Sequence, residues 1–328
     1  RIMSKLVTIY GGSGFVGRYI ARRMAKAGWR VRVAVRRPNE AIFVKTYGVV
    51  GQVEPVLCNI RDDASVASVM KGADAVVNCV GVLAEDGKNT FDAVQSEGPE
   101  RIARLARAAG IMRMVHVSAI GADLESDSNY ARTKAEGEAA VLKHQPDAMI
   151  LRPSIVFGSE DQFFNRFAGM ARMAPVLPVV GAETQFQPVY VDDVAKAAVM
   201  GVLGEAKGIF ELGGPVRMSF RELMVLMLDV IRRRRLILNI PFFAARFMAF
   251  GFDMLQAVTL GLVKNGMITR DQVRNLRRDN VVADDAQGFD ALGIKPVAMV
   301  SVLPDYLWRF RPSGQYDAIK ESASNLRS

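Results

Sequence analysis

Along the first half of the chain, apolar residues gather in short runs at Leu6–Tyr10, Val31–Val35, Val53–Cys58, Ala75–Asn78, Met114–Ser118 and Met149–Arg152. Between these runs the apolar positions recur at helical spacing, most clearly over Phe15–Ala27, Pro99–Ala109 and Tyr130–Leu142. Apolar strands alternating with amphipathic helices predict an α/β domain whose parallel sheet is covered on both faces.

After Pro153 the alternation loosens. Asp192 and Asp193 open a helix toward Leu203, and Ile209–Leu212 reads as a short strand. Ser219 and Glu222 form an S-x-x-E capping box ahead of the apolar run Leu223–Ile231. From there to Arg278 the pattern is mainly helical. Within Gly158–Val180, Phe163, Phe164, Phe167, Met170 and Met173 stand at helical spacing, a packing face rather than a polar pocket. The expected organisation is a doubly wound domain over residues 1–212, with 159–188 contributing to a second domain. A smaller, mainly helical C-terminal domain follows over 213–312, then a polar tail over 313–328.

Composition narrows the function classes. With 328 residues, half of them hydrophobic, the chain can build a sizeable core. A net charge of +9 suits an anionic partner, either a membrane surface or an acidic subunit. No nucleic-acid module is present and the arginines are not interleaved with aromatics, so nucleic acid is not the expected partner. Cys58 and Cys79 fall in apolar strand runs and read as reduced core residues rather than a disulfide framework. Only His116 and His144 are present, without metal-ligand spacing, so no metal site is predicted. The first strand begins almost at once, so no signal or transit segment is predicted. Arg1 and Ile2 precede Met3 and leave the natural start open. The longest apolar stretch, Leu236–Val263, is broken by Asn239, Pro241, Arg246, Asp253 and Gln256 and fails as a membrane-spanning helix.

The segment Tyr10–Ile20 reads YGGSGFVGRYI. Gly11, Gly14 and Gly17 make a GxxGxxG, and Gly12, Gly14 and Gly17 a GxGxxG, set between a strand and a helix. Such a turn lets a pyrophosphate approach the backbone at a helix N-terminus, so Gly11, Ser13, Gly14, Phe15, Val16 and Gly17 are candidate cofactor contacts in a Rossmann-like fold. The second strand ends in Arg36 and Arg37, where NAD-specific folds usually carry an acid for the ribose hydroxyls. Two guanidinium groups there suit the 2′-phosphate of NADPH. Asn59, Ile60 and Asp62 follow the third strand, and Val80 and Gly81 the fourth, lining the same crevice.

Ser118 ends the fifth strand, and Tyr130 and Lys134 follow at i, i+4 on one helix face. A lysine ammonium beside a phenol lowers its pKa and a serine hydroxyl can hold a carbonyl, the apparatus for protonating a carbonyl as hydride arrives. With these residues in place, the chain resembles the short-chain dehydrogenase/reductase superfamily, extended or atypical branch, over about the first 210 residues. The resemblance implies a catalytic role for Ser118, Tyr130 and Lys134, which also border the cofactor. It further implies that the loop RPSIVFG, Arg152–Gly158, lies beside the nicotinamide, adding Pro153 and Ile155 to the cofactor contacts. The stretches YGGSGFVGRYI, RPSIVFGSEDQFFNRFA and FQPVYVDDVAKA resemble more narrowly the family of NADPH-carrying accessory subunits of respiratory complex I, in a bacterial version. That likeness implies a structural NADPH and other complex I subunits as partners, without turnover.

The residues themselves keep alternatives open. The retained triad suits a free-standing NADPH reductase or epimerase, and a non-enzymatic NADP(H) sensor is a further reading. Arg232–Arg235 precede an apolar face of Phe243, Phe247, Phe250, Met254 and Val258 at i, i+3 and i+4 spacing. By itself this face reads as domain core; with the complex I resemblance it becomes a surface for membrane subunits or anionic lipid, at the cytoplasmic face of a bacterial inner membrane.

Overall fold

The computed structural model describes residues 5–85, 87–245, 247, 270–314 and 316, arranged in two compact units. The first unit comprises Arg1–Ser154, Val191–Gly213 and Val282–Pro296; the second comprises Ile155–Tyr190, Gly214–Val281 and Val297–Ser328.

The first unit holds a seven-stranded parallel sheet. Its strands are β1 (Leu6–Tyr10), β2 (Arg30–Val35), β3 (Val53–Leu57), β4 (Ala75–Asn78), β5 (Arg113–Val117), β6 (Met149–Pro153) and β7 (Gly208–Leu212). Their spatial order is β7-β6-β5-β4-β1-β2-β3. The chain therefore winds outward from β1 to β3, then crosses back to β4, which makes the β1/β4 boundary the switch point of the sheet. Alternate side chains serve the two faces. Tyr10, Val76, Met114 and Ile150 pack with Val66 of α2 (Asp63–Met70), Ile102 of α3 (Glu97–Ala108) and Val141 of α4 (Asn129–His144). On the other face α1 (Phe15–Lys26) packs against α5 (Val191–Leu203), where Gly201 lies so close that a Cβ on it would meet Met149 Sδ at 2.6 Å.

All seven observed strands begin or end within one residue of the predicted runs, and the central ones, buried on both faces, leave the clearest apolar blocks. Cys58 and Cys79 lie just past the ends of β3 and β4, and both are free thiols.

Two placements differ from the linear division expected from sequence. Residues 282–296, assigned to a C-terminal domain, belong to the first unit, because Glu211 N–H donates to Gln287 O (2.8 Å) and Ala283 N–H to Glu211 Oε2 (3.0 Å). The second unit is also not simply helical. Leu236–Ile240 forms a strand that pairs in parallel with Val176–Val180, although the surrounding pattern reads as helix. Shorter pairs join Gln185–Phe186 to Met218–Ser219 and Val156–Phe157 to Val189–Tyr190.

The core of the second unit is aromatic. Phe157 and Phe164 are fully buried, and Phe163, Phe167, Phe186 and Phe220 pack ring against ring with centroids 5.0–6.4 Å apart. The helix Phe164–Met173 presents this face inward, while Met173 is exposed. Ser219 and Glu222 form the predicted capping box at the start of the helix Phe220–Val230. Buried Asp161 accepts from the Asn165 N–H (3.0 Å) and from the hydroxyl of Tyr306, fastening the helix Met299–Leu307 to this loop. Burial raises the Asp161 carboxyl above its ordinary range, and the tyrosine and backbone donors oppose it.

Candidate dinucleotide site

The site is assembled at the C-terminal ends of the strands of the first unit. Gly11 takes a positive φ of 73° after β1, a conformation that suits glycine, and its N–H donates to Ala34 O of β2 (2.9 Å). On its other side the Cys79–Val80 backbone stands 3.2 Å from where a Cβ would be. Gly17 is closer still to its surroundings: a Cβ there would lie 2.4 Å from Gly11 O and 2.7 Å from Gly12 Cα. These glycines leave a bare backbone cradle beneath the first turn of α1. Gly14 caps that helix with no side chain to occupy its N–H groups, and the first turn carries no acid. Ser13, Phe15 and Val16 complete the turn. Backbone N–H groups and positive dipole thus meet in a space that a side chain would otherwise fill, which fits a pyrophosphate.

Around this cradle the other candidate residues divide. Arg36 and Arg37 follow β2 and are exposed. Arg37 is held by Glu40 (Nη1–Oε1, 3.0 Å), whereas Arg36 makes no hydrogen bond or ion pair with another described residue. Asn59 is exposed, and its Oδ1 accepts from the Arg61 N–H (3.2 Å). The Ile60 side chain is buried against Gly98 in the α2–α3 core, so only its backbone faces the loop. Asp62 caps α2 by accepting from Ala64 N–H (3.2 Å). Val80 is fixed by its N–H donating to Asn78 Oδ1 (3.0 Å). Pro153 ends β6 with its carbonyl accepting from Ile120 N–H (3.0 Å), while Ile155 opens the second unit.

The Ser118–Tyr130–Lys134 group lies at the ends of β5 and the start of α4. Ser128 caps that helix, accepting from Ala131 N–H (3.3 Å), and so sets Tyr130 in its first turn and Lys134 in its second. Tyr130 is half-buried and stacks edge-on against Phe91 (centroids 5.9 Å). Lys134 is buried, with Nζ 5.9 Å from the Tyr130 ring centroid and donating to Val117 O at 3.5 Å. A Cβ on Gly81 would stand 3.3 Å from that same Nζ, so the fourth-strand loop and the lysine are neighbours. Ser118 Oγ is buried without a hydrogen-bond partner among the described residues. An orphaned hydroxyl beside a buried lysine fits a polar ligand group arriving there.

Burial pulls the Lys134 ammonium down to about 8, with Glu138 and Cys79 opposing. An unfolded lysine holds its proton to about 10.4. Between these values the unfolded chain binds more protons than the folded one, so the contribution of Lys134 to stability rises with pH across that interval. Burial pushes the Cys79 thiol up to about 12, which works in the opposite sense at alkaline pH. Comparing wild type with Lys134→Met isolates the lysine. The wild type is expected to gain on the variant between about pH 7.5 and about pH 10 in denaturant titrations. A gap independent of pH would contradict a buried, proton-poor lysine.

Sequence reasoning passed over four side chains at this site. Arg18 folds back onto the glycine turn, its Nη2 donating to Ser13 O (2.9 Å). Asn78 donates from Nδ2 to His116 Nδ1 (3.1 Å), and burial next to Lys134 lowers His116 to about 3. Phe91, which packs on Tyr130, precedes a single π-helical turn, Asp92–Ser96. The arginine directly after the last glycine was a readable signal; the others come from pairings between distant segments.

A sheet that reverses at β1, with a glycine turn at the reversal and Lys134 beside the neighbouring strand end, defines a nucleotide-binding protein of the doubly wound α/β class. The chain belongs to the NAD dependent epimerase/dehydratase family, whose model matches residues 7–213. It is 34% identical over 316 residues to NADH dehydrogenase (ubiquinone) 1 alpha subcomplex subunit 9, mitochondrial, of Arabidopsis thaliana, covering 94% of this chain and 79% of that one. A ceramide reductase of Caulobacter vibrioides is 33% identical over 207 residues, 63% of this chain and 64% of that one. Among solved structures, the Bordetella bronchiseptica enzyme WbmH in complex with NAD+ has the same fold, with a TM-score of 0.68 at 16% identity, covering 95% of this chain and 99% of that one.

Proposed function

We propose that this chain is a peripheral accessory subunit of the proton-pumping NADH:ubiquinone oxidoreductase, complex I, and that it holds NADPH as a structural cofactor. The observation that carries the reading is the extent of likeness to subunit 9 of the Arabidopsis thaliana NADH dehydrogenase, which runs through 94% of the chain and so includes residues of both units. The likeness to a ceramide reductase spans 63% of the chain, which supports a shared domain more than a shared substrate.

The glycine turn would hold the pyrophosphate through the N–H groups of Ser13, Phe15 and Val16. Ser118, Tyr130 and Lys134 would meet the nicotinamide end, with Val80, Gly81 and Pro153 bordering it and Asn59 and Ile60 at the adenine side. NADPH rather than NADH is favoured by the arginine at the end of β2, where an acid would select NAD. The chemistry such a cofactor supplies when bound is hydride transfer. A ligand bound only by the folded state also stabilises it by mass action, and that is the role assigned here. A free-standing reductase remains the second reading, favoured by the buried Lys134 and the orphaned Ser118 hydroxyl.

Docking is assigned to the second unit. Of the four arginines 232–235, Arg233 and Arg235 are spent internally, donating to Phe310 O (2.8 Å) and Ala171 O (2.7 Å). All four keep their charge, since carbonyls are neutral acceptors, and Arg232 and Arg234 are the exposed pair. Leu236 and Leu238 are exposed on the strand that follows, as are Phe243 and Phe247 beyond it. Phe250, Met254 and Val258, and nearly all of the tail, lie outside the described residues. No helix among the described residues is long and apolar enough to cross a membrane. The exposed apolar and basic groups suit contact with membrane-arm subunits or anionic lipid, at the cytoplasmic side of a bacterial inner membrane.

Two variants in the native complex test the reading. Gly14→Asp sets a carboxylate against the pyrophosphate and is expected to strip NADPH and impair both assembly and quinone reduction. Tyr130→Phe removes only a proton donor and is expected to leave both intact. A large loss of rate from Tyr130→Phe with assembly preserved would favour the reductase.

A further inference from the structure

We infer that Arg61 is a latch between the two loops that wall the adenosine end of the site, and that it sets how fast the dinucleotide enters and leaves; the inference rests on the dinucleotide reading above. Arg61 stands in the loop after β3, and its root is fixed. Asn59 Oδ1 accepts from the Arg61 N–H (3.2 Å) and from its Nε (3.4 Å). Asn59 is held in turn, its N–H donating to Ser65 Oγ (2.9 Å) and its carbonyl accepting from the Asp62 N–H (3.1 Å). The tip of the Arg61 guanidinium reaches the loop after β4, where Nη1 donates to Lys88 O (3.0 Å).

That second loop is built into the site at both of its ends. It leaves β4 beside the glycine turn, where Val80 N stands 3.2 Å from the Cβ position of Gly11, and it passes the Lys134 ammonium at Gly81. It returns at Phe91, which stacks on Tyr130 and donates its N–H to Glu85 Oε1 (2.8 Å). Between these ends Arg61 fastens it to the β3 loop. In the sheet β3 and β4 are separated by β1 and β2, the strands that lead into the glycine turn and Arg36. The bond therefore joins the two sides of the rim along which a dinucleotide held at the glycine turn extends its adenosine half. Its donor and acceptor both belong to the chain, so breaking it raises the open fraction of empty and loaded protein alike. Entry and release then accelerate together, and affinity is unchanged.

The test is stopped-flow binding of NADPH to the purified full chain, and displacement of bound NADPH by excess NADP+, in wild type, Arg61→Met and Lys88→Ala. Loss of one hydrogen bond from a charged donor predicts that Arg61→Met speeds both entry and release about 5- to 10-fold. The Kd should stay within about 3-fold of wild type. Lys88→Ala keeps the accepting carbonyl and should change neither rate by more than about 2-fold. Faster release alone, with Kd weakened in proportion, would make Arg61 a ligand contact or the support of one and overturn the latch. Unchanged rates in Arg61→Met would overturn it as well, as would Lys88→Ala rates equal to those of Arg61→Met. A melting temperature lowered by more than ~5 °C in Arg61→Met would assign the residue to holding the fold, and the latch would fall. A wild type that binds neither NADPH nor NADH would instead refute the dinucleotide reading, and the latch with it.

Discussion

Gly17→Ala is expected to be among the most damaging single changes in the first unit. The added Cβ would stand 2.4 Å from Gly11 O and 2.7 Å from Gly12 Cα, and both obstacles are backbone. No rotamer can relieve such a contact; α1 must lift away from β1. Overpacking of this kind costs about 3 kcal/mol, enough to lower the melting temperature by at least ~5 °C. Because the same movement opens the pyrophosphate cradle, dinucleotide retention should fall in parallel. Thermal melts with and without added NADPH read both effects. A variant that melts within a degree of wild type and keeps its dinucleotide would show that the helix and turn are not in the close contact described.

The second large effect is expected from Arg152→Met. Glu138 on α4 is buried, with 4% of its side chain exposed, and Arg152 on β6 holds it through Nε–Oε1 and Nε–Oε2 contacts of 3.0 and 3.1 Å and an Nη2–Oε2 contact of 2.6 Å. Glu138 in turn raises the Arg152 guanidinium above its ordinary value, outweighing the cost of its partial burial. Removing the arginine strips the buried carboxylate of its hydrogen-bonded partner and leaves only the more distant charge of Lys134, a loss of up to about 3–5 kcal/mol. Replacing both main partners, Arg152→Met with Glu138→Leu, should recover part of that loss, since the most buried carboxylate is gone and only Glu211, 3.5 Å from Arg152 and 12% exposed, loses its partner. Denaturant titration of the single and double variants decides it: a double variant no more stable than Arg152→Met would mean the cost lies in lost packing and not in the stranded charge.

The sheet of the first unit was legible because its central strands, β1, β4, β5 and β6, are buried on both faces. Their apolar blocks, spaced by helices, leave little choice of period. The short strands of the second unit were not. Leu236–Ile240 pairs with Val176–Val180 through backbone bonds, and neither alternates cleanly: Pro178 interrupts one, and the other runs on into apolar residues that suggest a helix. The glycine turn was visible as a string of residues with one geometric purpose. What could not be read was how local charges spend themselves. Arg37 is taken by Glu40, Asp62 by the N-terminus of α2, and Arg233 and Arg235 by carbonyls far along the chain. Such partnerships depend on loops whose paths leave no periodic trace. The Asn78–His116 pair is hidden for the same reason, since its members stand on adjacent strands 38 residues apart.

The segment 282–296 has a consequence for how this molecule meets others. A parallel sheet ends in two rows of backbone donors and acceptors, each a template on which a foreign strand could grow. At β7 the row is occupied from within, by Gln287 accepting from Glu211 N–H, with Ala283 fixed to the Glu211 side chain. At β3, Pro55 deletes a donor from the middle of the strand and Glu54 adds a charge. Both rims are thus poor templates for another chain's strand. Edge-to-edge pairing between copies of this basic chain is disfavoured by its own backbone, before any side-chain charge comes into play.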